Sequence, residues 1–184
     1  MSLTVGETTI RVAHGAGDAH DLLIKAVAEA RRLDPADLRV SHRCHHCGST
    51  AHGVPTLTLH GDTLPLAVSL SRADGVVLVA FGRAAALGVD IEAAEAAADP
   101  ALDRVLRHRI EAPYPDAAAR TAAWVRKEAA LKAWGCGLHV EPSSVQDLGG
   151  AAVAPGRPPV TLTDLPVEGY QAALAVIAGP ATSC

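Results

Sequence analysis

Aromatic side chains are nearly missing from this chain. Its 184 residues include two Trp, two Tyr and one Phe, so aromatics make up only 3% against a hydrophobic content of 49%. A core must therefore be assembled from Ala, Val and Leu, which works only by close packing. A long apolar run is also missing: nothing approaches the roughly 18–20 residues that span a bilayer. So is an excess of positive charge. The net charge of −4 removes the general electrostatic footprint of a nucleic-acid binder. The four cysteines, with Cys136 and Cys184 standing alone, do not make the pattern of a secreted disulfide scaffold. Met1 to Arg11 alternates like a strand and lacks the basic-then-apolar layout of a signal peptide. A cytoplasmic protein, without membrane or nucleic-acid partners, is the expectation. The length suits one good core or two small subdomains.

What is present reads as alternating short elements. Leu3–Ala13 reads as a strand. Asp18 or Asp21 can cap a helix running to about Leu33, with Leu22, Leu23, Ala26, Val27 and Ala30 at helical spacing. A polar segment rich in His and Cys runs from Val40 to about Pro55. Thr56–Leu59 and Leu64–Leu70 read as strands, and Val76–Phe81 with Ala86–Ile91 as a hairpin across Gly82-Arg83. The Ala-rich, acidic Glu92–Asp99 reads as a connection. Ala101–Ile110 reads as a helix. Asp116 can cap a long helix through Trp134, which Gly135 ends. Val145–Leu148, Val160–Leu165 and Tyr170–Ala178 read as mostly antiparallel strands. This order predicts an α+β fold in two parts, residues 1–95 and 96–184.

Two acidic clusters carry the chemistry. In Gly88-Val89-Asp90-Ile91-Glu92, strand alternation puts Asp90 and Glu92 on one face and Val89 and Ile91 in a core. In the run from Trp124 to Gly135, helical spacing lines up Trp124, Glu128 and Lys132. If helix and strand end pack together, three carboxylates and one ammonium converge. Carboxylates so placed repel one another unless a cation sits among them, and their hard oxygens suit Mg²⁺.

The segments GVDIE and WVRKEAALKAWG resemble the signature of the 4′-phosphopantetheinyl transferases, in particular the surfactin-synthetase-activating type. Cys44-His45-His46-Cys47-Gly48 followed by His52-Gly53-Val54-Pro55, the run Val68-Ser69-Leu70-Ser71-Arg72, and the closing Gly169–Val176 are similar to further segments of that family, in the same order. The resemblance implies two pseudo-symmetric halves, each a small, mainly antiparallel sheet with a packed helix, and an active site in the cleft between them. It implies transfer of 4′-phosphopantetheine from coenzyme A to a serine of an apo acyl or peptidyl carrier protein, releasing adenosine 3′,5′-bisphosphate. Mg²⁺, with Mn²⁺ as substitute, would be held by Asp90, Glu92 and Glu128. Lys132 would neutralise a phosphate oxygen, and Glu128 or a metal-bound water would take the serine proton. Coenzyme A would be gripped by Ser71, Arg72, His52, Arg43, Arg31 and Lys132. A monomer is expected.

The chain departs from the family pattern at Val54, where Lys or Arg is usual, and at Arg72, where His is usual. Lys25, Arg31, Arg32 and Arg43 are nearby sources for the lost charge. A degenerate relative that binds coenzyme A or a carrier without turnover is one alternative. Another is a small zinc-stabilised binding module, since Cys44, Cys47 and the histidines around them have zinc-ligand chemistry, although no second CxxC exists. His45 and His46 could instead face nucleotide phosphates. Arg104, Arg107 and Arg109, ahead of Tyr114, offer a basic patch for an acidic carrier.

Overall fold

The computed structural model describes residues 1–15, 17–44 and 46–179, so His45 and Cys184 lie outside the described residues. Gly6, with φ of 55°, turns the first segment back on itself. The single strand expected over Leu3–Ala13 is therefore an antiparallel hairpin, β1 (Ser2–Val5) and β2 (Thr8–His14), with Leu3 opposite Ile10. A glycine enters this left-handed conformation without the clash a Cβ would bring.

Asp18 caps α1 (Ala19–Arg31) by accepting from the backbone N–H groups of His20 and Asp21, and Arg32 ends it in a left-handed conformation. A 3₁₀ turn at Pro35–Asp37 leads to β3 (Leu38–Arg43), β4 (Val54–Leu59) and β5 (Asp62–Thr63). The polar loop is shorter than the sequence suggests, because Leu38–Arg43 pairs residue by residue with Val54–Leu59. Next come β6 (Ala67–Ala73), β7 (Val76–Gly82) and β8 (Ala86–Ala93).

The helix expected over Ala101–Ile110 shrinks to a 3₁₀ turn at Pro100–Leu102 and one turn of α2 (Asp103–Leu106). Arg107 leaves in an extended conformation, and the carbonyl of Leu106 instead accepts from the Lys127 ammonium at 2.8 Å. Asp116 caps α3 (Ala117–Ala133) through the Ala119 N–H, and Gly135 follows at φ 67°. The chain closes with β9 (Gln146–Asp147), β10 (Ala151–Val153), β11 (Val160–Asp164) and β12 (Tyr170–Ile177).

The architecture is α+β, with three antiparallel sheets ordered β1-β2-β7-β6, β8-β12-β11-β10-β9 and β3-β4-β5. The expected hairpin of β7 with β8 does not form. β7 pairs on both sides, with β2 and β6, which leaves no backbone groups for a third neighbour. β8 joins the other large sheet through β12. Alternation along the strands then builds layers. One face of β7 (Val77, Val79, Phe81) packs with Leu23 and Val27 of α1. Its other face (Leu78, Ala80) meets Val89, Ile91 and Leu174 of the second sheet. Val125, Ala129 and Leu131 of α3 pack on Ala173 and Ala175 of β12. Trp124 packs against this last cluster. Among the described residues, no helix is long and apolar enough to cross a membrane.

Candidate active site

β6 and β8 each lie at the edge of their own sheet, and they come together without a backbone ladder. Serine hydroxyls stitch them instead. Ser69 Oγ accepts the Val89 N–H at 3.0 Å, and Ser71 donates to Asp90 Oδ1 at 2.8 Å. Side chains two apart on a strand share a face, so both serines point from β6 toward β8.

The opposite side of β8 is covered by α3. With Val89 and Ile91 in the core, Gly88 and Asp90 face the helix. A Cβ at Gly88 would overlap the Ala129 carbonyl and crowd the Ala133 nitrogen. Glycine is the residue that lets the helix backbone come this near. The close approach delivers Lys132 and Glu128, one turn apart on α3, to Asp90. Lys132 Nζ donates to Asp90 Oδ1 at 2.6 Å, to Ser71 Oγ at 3.1 Å and to the Val89 carbonyl at 3.1 Å. An ammonium has three protons, and here all three are engaged. Lys132 thus anchors Asp90 and holds its position from the helix side.

Two oxygens in this cluster are buried without a partner: Asp90 Oδ2 and Glu128 Oε1. Such groups are costly unless something satisfies them. Burial, then the charge of Asp90, pushes the Glu128 carboxyl up to about 7, with Glu92 adding to the rise and Lys132 opposing it. Glu92 is half-buried, and its carboxyl is raised by burial and by Asp90. One lysine does not balance three carboxylates. The donor set is all oxygen and has unfilled acceptors facing a crowded negative centre, so it fits a hard divalent cation such as Mg²⁺. The three carboxylates are more loosely spread than the Cys44, Cys47 and His52 group, whose ligand atoms lie within 4.8 Å of one another.

Residues 86–169 match the family model of the 4′-phosphopantetheinyl transferase superfamily. No curated protein matches the chain. The matched stretch is less than half of the chain, yet it holds Asp90, Glu92, Glu128 and Lys132, and it runs from β8 to the residue before β12. It is similar to a family of phosphopantetheine-transferring enzymes and places the carboxylate cluster within that similarity.

The remaining candidates lie outside the matched stretch and do not all gather. Ser71 is buried, with its hydroxyl committed to Asp90 and Lys132. Arg72 is exposed, and its charge acts on Asp18 at the start of α1. Arg31 sits in the last turn of α1, roughly 18 Å of helix away from that end. It lines a separate depression with Glu7, Phe81 and Arg83. Arg43 is exposed at the end of β3, and His52 lies against Cys47. Val54 pairs with Arg43 in the β3–β4 ladder. Of the arginines proposed for a carrier, Arg104 and Arg109 are exposed, while Arg107 is tied to the Glu111 carbonyl at 2.9 Å. Sequence reasoning missed the structural parts of Ser69 and Gly88. The signals were there: two serines at alternate positions in an apolar strand, and a glycine where the strand pattern called for a side chain.

Proposed function

We propose that this protein transfers 4′-phosphopantetheine from coenzyme A to a serine of an apo carrier protein. The observation that carries the reading is the pair of orphaned, buried carboxylate oxygens on Asp90 and Glu128, beside Lys132, inside the stretch that is similar to the transferase superfamily. The reaction sets a neutral hydroxyl against a negatively charged pyrophosphate, so positioning and charge neutralisation are what a catalyst must supply. Asp90, Glu128 and Glu92 would hold Mg²⁺, which when bound supplies positive charge and Lewis acidity at the pyrophosphate.

The chain's own groups have distinct tasks in this reading. Lys132 and Ser71 fix the Asp90 carboxylate through Oδ1 and leave Oδ2 free. Glu128, or a water on the metal, would accept the serine proton. The exposed Arg72 and Arg43 are available to grip coenzyme A phosphates, since a guanidinium fork takes two oxygens at once. Arg104 and Arg109 are available to an acidic carrier.

The test is intact-mass spectrometry of an apo acyl carrier protein after incubation with this protein, coenzyme A and Mg²⁺. The expected result is a gain of about 340 Da, the mass that the proposed phosphoryl transfer adds, abolished by chelation. Coenzyme A binding without any gain across several carriers would overturn the reading in favour of a non-catalytic binder.

A further inference from the structure

The loop between β3 and β4 contains a second concentration of chemistry, built from softer atoms than the carboxylate cluster. Cys44, Cys47 and His52 place their ligand atoms within 4.8 Å of one another. Cys47 Sγ and His52 Nε2 are 3.5 Å apart. Zinc bonds of about 2.3 Å to sulfur and about 2.0 Å to nitrogen, at tetrahedral corners, put those atoms roughly 3.5 Å from each other. We propose that Cys44, Cys47 and His52 bind one Zn²⁺, forming a metal site separate from the carboxylate cluster.

The loop is shaped around these atoms. The Cys44 N–H donates to the Ser49 carbonyl at 2.9 Å, and the Gly48 N–H returns to the Cys44 carbonyl at 2.8 Å. This is a tight turn that folds two cysteines onto one point. Gly48 enters it with φ of 73°. The third ligand arrives by a separate device. Gly53, at φ 113°, presses against the backbone of Arg43 and Cys44, where any Cβ would clash. That close approach carries the neighbouring His52 across the loop to Cys47. His42 Nδ1 donates to the Gly53 carbonyl at 3.1 Å and pins the return strand.

Thiolate and imidazole ligands favour Zn²⁺ over the hard cations expected at Asp90. Binding would release the protons of both thiols. Cys47 and His52 are exposed, so the fourth coordination position faces solvent. Between the ligands, His46 stacks on His139 with ring centroids 4.2 Å apart. His139 follows α3, so a metal that orders this loop also braces it against the part of the chain that carries Glu128 and Lys132.

The experiment uses the full chain, reduced and stripped of metal, titrated with Co²⁺ and then with Zn²⁺. The expected result is stoichiometric cobalt binding with a thiolate-to-cobalt charge-transfer absorption that Zn²⁺ displaces. Cys47→Ser and His52→Ala, both at exposed positions, should each weaken binding by at least about tenfold and diminish that absorption. Asp90→Ala and Cys136→Ser should leave it unchanged. Absence of the charge-transfer band, a band indifferent to Cys47 and His52, or one that disappears with Cys136 would each overturn the proposal. No transfer assay enters this test, so it stands or fails apart from the proposed activity.

Discussion

Lys127 and Glu128 are adjacent on α3, and they face two very different charged environments. Lys127 is fully buried and donates to Glu111 Oε2 and to the Leu106 carbonyl, each at 2.8 Å. Glu111 in turn accepts from the His108 N–H, the Tyr114 hydroxyl and the Asp147 N–H. Burial disfavours its carboxylate, but the bonds from Lys127, Asp147 and His108 prevail and hold it below the usual glutamate range. Around Glu128 the balance is reversed. Three carboxylates share one lysine, two buried oxygens have no partner, and the Glu128 carboxyl rises to about 7. The first network pairs its lysine and glutamate and fixes the 106–114 segment onto α3, although burial still pulls Lys127 down and Arg107 Nε and His108 Nδ1 of that segment have no partner among the described residues. The second is incomplete in a way that a bound cation and a phosphate-bearing substrate would complete. What sets the candidate site apart is not an unpartnered atom as such, which Arg11, Arg107 and His108 also have, but the crowding of three carboxylates on one lysine.

The strongest way to sharpen this contrast is to remove each carboxylate in turn. Asp90→Ala or Glu128→Gln should reduce carrier modification by about a thousandfold, or about 4 kcal/mol in the transition state. Glu128→Gln should not lower the denaturant midpoint appreciably, because it removes like-charge repulsion, whereas Asp90→Ala should lower it, because Lys132 and Ser71 lose their shared partner. Near wild-type transfer rates in either variant would break the comparison. Glu111→Ala should do the converse. Leaving Lys127 buried and unpaired should cost about 3–5 kcal/mol of stability by denaturant titration. Transfer per folded molecule should persist, and an unchanged midpoint would show that the Lys127 network is not structural.

The smallest effect is a pH dependence in chelator-treated protein. Glu128 has an ordinary value of 4.5 and sits at about 7 in the fold. Below about pH 4.5 both folded and unfolded chains are protonated at this group, and it contributes nothing. Between about 4.5 and 7 the unfolded chain gives up a proton that the folded chain keeps, so stability falls as pH rises, and above about 7 the penalty is complete. Glu92, also raised, acts in the same direction. Thermal melts should show this fall, Glu128→Gln should flatten it, and Mg²⁺ should stabilise more above pH 7 than below pH 5. Identical profiles for wild type and Glu128→Gln would assign the slope to other groups.

Much of the site could be read from spacing. Period-two alternation put Asp90 and Glu92 opposite Val89 and Ile91, and the fold has Val89 and Ile91 in the core. Helical spacing put Glu128 and Lys132 one turn apart. Asp18 and Asp116 cap the helices as expected, because a cap is a contact between residues three or fewer apart. The errors lie where partners are distant. β7 and β8 look like a hairpin locally, yet each finds a better partner elsewhere, β2 and β12 respectively. Arg31 and Arg72, assigned to coenzyme A together by resemblance, lie at opposite ends of α1, a separation that the sequence did not reveal.

Local pattern by itself determined the helices of α1 and α3 and their acidic caps, the mostly antiparallel character of the strands, and which carboxylates share a face, while α1 ends at Arg31, two residues before the expected Leu33. These depend on backbone geometry that repeats over two to four residues. Only the tertiary structure decided that Gly88 admits α3 closely enough for Lys132 to reach Asp90, that Ser69 and Ser71 join two sheet edges, and that Lys127 is matched while Glu128 is not. Those outcomes depend on which distant backbones approach and on which buried groups find partners, and no spacing along the chain encodes that.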